Sequence, residues 1–280
     1  MNKSMYPCIW CNHSARVMAD FYVSAFPNAQ VVDENQAVVV ITINDQRIML
    51  LNGGDMFNPT PTISLMYLST DEAEVEEIYR KLSDGGKNLM PLEKYAFSKK
   101  YAWVEDRFGM TWQLYTGEEK DIIQKVVPTL MFVDTNNGRA EEAVDFYMSI
   151  FPGSGQKRLS KYTGEEGETP GNVQHGQFMV NDYLIMIMDS SYPHSFNFNE
   201  GVSLVVECST QEEIDTYWER LSSEGGEEGM CGWLKDKYGV SWQIVPATID
   251  KLMRRSSKVL EVMMNMKKLD IQQLREAAES

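Results

Sequence analysis
The hydrophobic positions of this chain switch repeatedly between a strand-like and a helix-like period. Tyr6 to Trp10 is a short apolar run of strand length. Behind Asn12 and Ser14, either of which can cap a helix, Met18, Tyr22, Ala25 and Phe26 form one stripe until Pro27-Asn28 stops it. Apolar runs Ala37 to Ile43 and Arg47 to Leu51 flank Asn44-Asp45-Gln46, a turn between antiparallel strands. The pattern then restarts. Thr62 to Leu68 predicts a strand, and Ser69, three residues before Glu72, predicts a capping box. Val75, Ile78, Tyr79 and Leu82 form the helical stripe that Gly85-Gly86 ends. Lys100 to Val104 and Thr111 to Tyr115 predict a closing hairpin around Asp106-Arg107-Phe108-Gly109.

The second half repeats this order. Asp20-Phe21-Tyr22-Val23-Ser24-Ala25-Phe26-Pro27 returns as Asp145-Phe146-Tyr147-Met148-Ser149-Ile150-Phe151-Pro152. Trp103, Asp106, Gly109 and Trp112-Gln113 return as Trp233, Asp236, Gly239 and Trp242-Gln243. Ser64-Leu65 and its following helix return at Ser203-Leu204. Repeats in one order mean a duplicated unit, and each copy reads as two βαβββ modules. In copy two the strands are expected at Pro128 to Val133, Val173 to Val180, Tyr183 to Met188 and Val202 to Cys208. The helices are expected from about Arg139 to Phe151 and Gln211 to Ser222, with a loop over Thr163 to Gly171. The expected division is 1–120, 124–247 and a helical tail over 248–280. In the tail Val259, Val262, Met263 and Met266 share a face, and Asp270 with Gln273 forms a capping pair. That face can cover a sheet of its own chain or dock on a second copy, so a homodimer is the expected assembly.

A composition of 43% hydrophobic and 24% charged residues is that of a globular protein, and a net charge of −15 argues against a nucleic-acid partner. No apolar run reaches the ~20 residues of a membrane-spanning helix, and the N-terminus lacks a basic region with an apolar segment behind it. Four cysteines without regular spacing fit reduced thiols and a cytoplasmic location. Cys8 and Cys11 have redox spacing, but on a strand they point to opposite faces.

The strand and helix ending in Phe-Tyr-x-x-x-Phe-Pro, together with Cys231-Gly232-Trp233 through Ser241-Trp242-Gln243-Ile244-Val245-Pro246, resemble the vicinal oxygen chelate superfamily of glyoxalases, bleomycin-resistance proteins and dioxygenases. More narrowly they resemble its PhnB-like branch, whose members often carry the name 3-demethylubiquinone-9 3-methyltransferase. Glu141-Glu142-Ala143, His175, Asp182, Asp189 and Met263-Met264-Asn265-Met266-Lys267-Lys268-Leu269-Asp270 extend the likeness. The resemblance implies an α+β fold of four βαβββ modules in two glyoxalase-like domains, with curved mixed sheets enclosing a cavity. It also implies a range of chemistries, from metal-dependent lyases and dioxygenases to metal-free sequestering proteins.

In metal-using members, by the same resemblance, a Glu sits seven residues after the turn Asp. Here those positions are Gln113 and Gln243, and a neutral amide is a poorer ligand and no base. The first strands of the four modules carry no histidine, and their only carboxylate is Glu207. No metal and no cofactor is therefore expected; the Gly pairs 53–54, 85–86 and 225–226 read as turns and helix ends, not as a cradle for a nucleotide-type methyl donor. Alternation places His175, Gln177 and Met179 on one face. His175 there either orients a ligand carbonyl, acts as a base, or is a hydrogen-bonded sheet histidine, while His13 and His194 read as solvated. The candidate ligand site is His175, Gln177, Trp233 and Gln243 with Met131 and Met186, centred on copy two. A small-molecule binding protein or metal-independent enzyme is the expected function. Alternatives are a metal-dependent lyase or dioxygenase, and a methyltransferase.

Overall fold
A computed structural model describes residues 5–153, 155–165 and 167–280, so Glu166 of the expected loop lies outside them. Each module is a strand, a helix and three strands. The first is β1 (Met5–Cys11), α1 (Ala15–Ala25), β2 (Ala29–Glu34), β3 (Val38–Ile43) and β4 (Gln46–Asn52). The second is β5 (Ile63–Ser69), α2 (Glu72–Ser83), β6 (Lys87–Tyr95), β7 (Ser98–Glu105) and β8 (Thr111–Thr116). The third is β9 (Val126–Phe132), α3 (Ala140–Ile150), β10 (Gly155–Lys161), β11 (Val173–Val180) and β12 (Tyr183–Asp189). The fourth is β13 (Val202–Cys208), α4 (Gln211–Leu221), β14 (Glu227–Glu228), β15 (Trp233–Lys235) and β16 (Ser241–Pro246). The tail is α5 (Ile249–Arg255), α6 (Lys258–Met263) and α7 (Ile271–Glu279).

The modules do not pair within their own copy. The first eight-stranded sheet runs β14-β15-β16-β13-β1-β4-β3-β2 and joins modules four and one; the second runs β10-β11-β12-β9-β5-β8-β7-β6 and joins modules three and two. Both joints are antiparallel first strands, with Cys8 opposite Ser203 in one and Ser64 opposite Thr129 in the other. The sequence repeat thus crosses from one sheet to the other. β2, β6, β10 and β14, which hydrophobic pattern does not announce, are the four sheet edges. An edge strand is not buried on both faces and so lacks a continuous apolar run, and Pro91 in β6 is tolerated because an edge needs no full ladder of donors.

Local chemistry explains the turns and ends. Asn44-Asp45 and Asn181-Asp182 hold consecutive positive φ values (47° and 65°, 49° and 57°), the type I′ geometry that closes β3–β4 and β11–β12. Helix α4 begins with a capping box between Thr210 and Glu213. Helix α2 does not use Ser69 as expected; Asp71 is its cap, accepting from Ala73 N at 2.8 Å, while Ser69 Oγ accepts from Asp71 N. Asp270 caps α7 through Gln273 N at 2.9 Å.

The repeated Asp-x-x-Gly turns carry the central polar contacts. Asp106 Oδ2 accepts from Tyr22 OH (2.7 Å) and Trp112 Nε1 (3.2 Å), and its Oδ1 from Phe108 N and Met110 N. Asp236 accepts from Tyr147 OH (2.7 Å), Trp242 Nε1 (2.9 Å), Tyr238 N and Val240 N. Tyr22 sits on α1 of module one and Asp106 belongs to module two, so each carboxylate ties a helix of one sheet to a turn of the other. The surrounding core spans both sheets and all four module helices. Burial pushes each carboxyl up to about 6 against the pull of its four donors.

Replacing Asp236 by Ala leaves two side-chain and two backbone donors buried without an acceptor. The expected loss is about 3 kcal/mol or more in urea unfolding. Asp236→Asn, which keeps one acceptor oxygen, is expected to lose less. A loss below about 1 kcal/mol for the alanine variant contradicts this role.

Candidate functional site
Pairing register fixes which residues share a face of the second sheet, because opposed residues point the same way. One row runs Gln177, Met186, Thr129, Ser64; a second runs Trp103, Gln113, Met66, Val127. His175 and Met131 extend the face at its copy-two end. Gly176, Phe178 and Val180 are turned the other way and buried. Met66, Leu68, Tyr101, Val127, Leu184 and Met186 form a separate apolar cluster on this face, with Met90, Trp103, Tyr115 and Met179 packed against it. The β6 edge is bulged at three places, and its tip brings Tyr95 and Phe97 to 5.6 and 5.0 Å from the Tyr101 ring.

Polar groups cross the middle of this apolar face. Gln113 Nε2 donates to Ser64 Oγ at 2.8 Å, and Tyr101 OH donates to Gln113 Oε1 at 2.8 Å. On either side of that pair stand two buried polar atoms with no hydrogen-bond partner, Thr129 Oγ1 and Trp103 Nε1. His175 Nε2 lies 3.1 Å from Gln177 Nε2. The amide donates, so the imidazole is neutral with its proton on Nδ1, and burial lowers its pKa. In that arrangement its accepting nitrogen is engaged by the Gln177 amide.

The other two expected site residues lie elsewhere. Trp233 and Gln243 oppose each other in the first sheet, apart from His175. The expected single pocket in copy two is therefore divided, because each copy contributes to both sheets. Most of the corresponding face of the first sheet is covered by the tail of the same chain. Tyr6, Cys8, Val205 and Val245 pack with Leu252, Val259, Leu269 and Leu274, with Met49 and Leu51 alongside. Cys231 N donates to Met266 O (2.7 Å) and Gly232 N to Lys267 O (2.8 Å). Arg47 bridges Glu207 (2.5 Å) and Asp250 (3.3 Å), and Tyr6 OH donates to Glu207. The tail's apolar face is thus used within its own chain, and Glu207 is committed to Arg47.

The positions that would hold a metal carry neutral donors. On the first and closing strands they are Cys8, Ser203 and Gln243 in the first sheet and Ser64, Gln113 and Thr129 in the second. Gln243 Nε2 donates to Ser203 Oγ at 2.9 Å, and burial pushes the Cys8 thiol up to about 12. Among the described residues no three His, Cys, Asp or Glu side chains come together for a metal. These sets do not fit a hard or borderline divalent ion. The glycine pairs are structural: Gly53 lies under the Trp10 ring, and Gly85 (φ 75°) and Gly225 (φ 104°) follow the ends of α2 and α4. His194, expected in solvent, is half-buried, with Nε2 3.1 Å from Ser190 Oγ and its ring stacked on Phe196. Thr129, Ser64, Met66, Tyr101 and Trp103 were not candidates from sequence; only the echo of Trp103 and Gln113 with Trp233 and Gln243 pointed toward copy one.

The family model described as 3-demethylubiquinone-9 3-methyltransferase matches residues 3–115 and 124–245. Glyoxalase I from Zea mays is 13% identical, with 93% of this chain and 95% of that one covered and a TM-score of 0.58; a point mutant of the same enzyme gives 12%, 89%, 93% and 0.59. At that identity the likeness is one of fold. A putative 3-demethylubiquinone-9 3-methyltransferase, PhnB protein, from Bacillus cereus is 28% identical over 40% of this chain and 98% of its own, with a TM-score of 0.38. Among curated proteins none matches.

Removing residues 248–280 bares Tyr6, Cys8, Val205 and Val245, and is expected to cost on the order of several kcal/mol and to raise binding of an apolar dye. An unchanged melting temperature and dye signal would contradict the covering role. For His175, a lowered folded pKa means that the unfolded chain takes up a proton which the folded chain declines. The associated stability is complete above pH 6.5 and is lost as pH falls below it. An NMR titration of the ring is expected to give a midpoint below 6.5, and His175→Gln to flatten this part of the stability profile.

Proposed function
Since this chain belongs to the 3-demethylubiquinone-9 3-methyltransferase family and has the vicinal oxygen chelate fold, we propose that it is a small-molecule binding protein or metal-independent enzyme whose site is the concave face of the second sheet. The ligand is a neutral, flat or flexible apolar molecule with an oxygen that accepts a hydrogen bond. The observation that carries this reading is the pair of buried, unpartnered groups, Thr129 Oγ1 and Trp103 Nε1, beside the bonded Gln113–Ser64 pair and among methionines and tyrosines. Each such group costs about 1–3 kcal/mol, which a ligand can recover by supplying the missing partner. Met66, Met131 and Met186 adapt to ligand shape, and the edge bearing Tyr95 and Phe97 can lift without breaking the centre of the sheet. His175 and Gln177 form a polar rim that orients the ligand.

The methyl transfer in the family's description is not carried over, because the glycine pairs build turns and helix ends in place of a nucleotide cradle. Calorimetry showing saturable binding of S-adenosylmethionine would reverse that choice. The four free thiols agree with a reducing compartment, so a cytoplasmic location belongs to the same proposal. A homodimer would need a surface other than the tail's apolar face, which is occupied within the chain.

Titration with flat aromatic ketones, followed by calorimetry, tests the site. Trp103→Phe and Thr129→Val, each losing one hydrogen bond, are expected to weaken binding about tenfold, and Gln243→Leu in the first sheet to leave it unchanged. Binding that ignores Trp103 and Thr129 but is lost with Gln243 would overturn the assignment. So would a stoichiometric divalent ion that co-purifies and whose chelation abolishes binding.

A further inference from the structure
The tail leaves one strip of the first sheet uncovered. Along a single row of the pairing register, Glu227 opposes Lys235 and Lys235 opposes Ser241. There a cavity of about 110 Å³ opens, lined by Glu200, Glu227, Glu228, Trp233, Lys235 and Ser241 among others. That volume equals roughly three to four waters.

The charge of this lining is unbalanced. Lys235 Nζ pairs with Glu200 at 2.7 Å, which uses the one cation on one of three carboxylates. Glu228 Oε1 accepts from Trp218 Nε1 at 2.9 Å, with Lys267 at 3.9 Å from its other oxygen. Among the described residues the Glu227 side chain has no hydrogen bond or ion pair. Ser241, 1% exposed, presents a buried Oγ that also has no partner. Trp233 gives the wall an aromatic ring, held edge-on by Trp10 at 5.9 Å. Register turns Glu228 with Leu234 and Trp242 toward α4, so the cavity offers the unpaired carboxylate of Glu227, a hydroxyl in need of a partner and a π surface.

The duplication supplies an internal comparison. The corresponding positions of copy one are Lys87, Asn88, Trp103, Glu105 and Thr111, in the same register. The tryptophan and the buried, unpartnered hydroxyl of Thr111 recur, but Glu227-Glu228 is replaced by Lys87-Asn88. The charges are exchanged between the copies: Glu105 opposes the hydroxyl with Lys87 beyond it in copy one, and Lys235 opposes it with Glu227 beyond it in copy two.

We propose that this cavity binds a small organic cation, a primary alkylammonium. Its N–H groups donate to Glu227 and Ser241 Oγ, and its alkyl group lies against the Trp233 ring, where the π quadrupole adds to the attraction of the carboxylate. A bare divalent ion is a poor occupant, since Trp233 and Ser241 add no strong ligand to the exposed carboxylates.

The test is an NMR titration of the full chain with ethylammonium, following the indole N–H of Trp233 assigned through Trp233→Phe. A saturable shift is expected with ethylammonium and none with ethanol, its neutral analogue. The Glu227→Gln variant, which changes one exposed carboxyl, is expected to bind about tenfold more weakly or worse with an unchanged melting temperature. No saturable shift, an equal response to ethanol, or the same shift from Mg²⁺ alone overturns the proposal.

Discussion
A buried aspartate at the closing turn holds the architecture together. Asp106 and Asp236 each gather a tyrosine from a helix of one module, a tryptophan from a strand of the next and two turn amides. A carboxylate so deeply placed is tolerated only when its acceptor capacity is filled, so the helix cannot shift without stranding a charge. Since helix and turn lie on different sheets, the contact fixes the two sheets against each other. The Phe-Tyr-x-x-x-Phe-Pro and Trp-x-x-Asp-x-x-Gly-x-x-Trp echoes are the two halves of this contact, which is why they recur together.

Much of this organisation is written in local pattern. Buried strands, helices with an apolar stripe, the turn at Asn44 and the duplication were all legible, because each depends on neighbours along the chain. The edge strands were not, since β10, Gly155–Lys161, has no apolar alternation to announce it. Site assembly failed for a related reason. Alternation placed His175, Gln177 and Met179 on one face, yet nothing local tells that module three pairs with module two. Trp233 and Gln243 were grouped with His175 by sequence proximity, and the pairing of modules separates them.

The two sheets, each built from both copies, differ in how they use the faces turned away from the helices. In one, Cys8, Met49 and Gln243 have become the floor under a helical cover, and a small acidic cavity survives beside it. In the other, Ser64, Gln113 and Thr129 cross a face lined with methionine and tyrosine. The same register and the same glutamine on the closing strand serve packing in one place and leave unpaired groups in the other. Fold membership alone does not choose between these outcomes.

Because each sheet takes half of its strands from each copy, the stretch between β8 and β9 is a tether and not a boundary. Severed there, each fragment would carry two unfinished half-sheets, with β1 and β5 in one and β9 and β13 in the other exposing open edges that seek the missing partner. Covalent linkage supplies that partner at a high effective concentration and in fixed one-to-one proportion. Each copy is thereby free to drift in sequence on its own, since neither ever has to match a duplicate of itself.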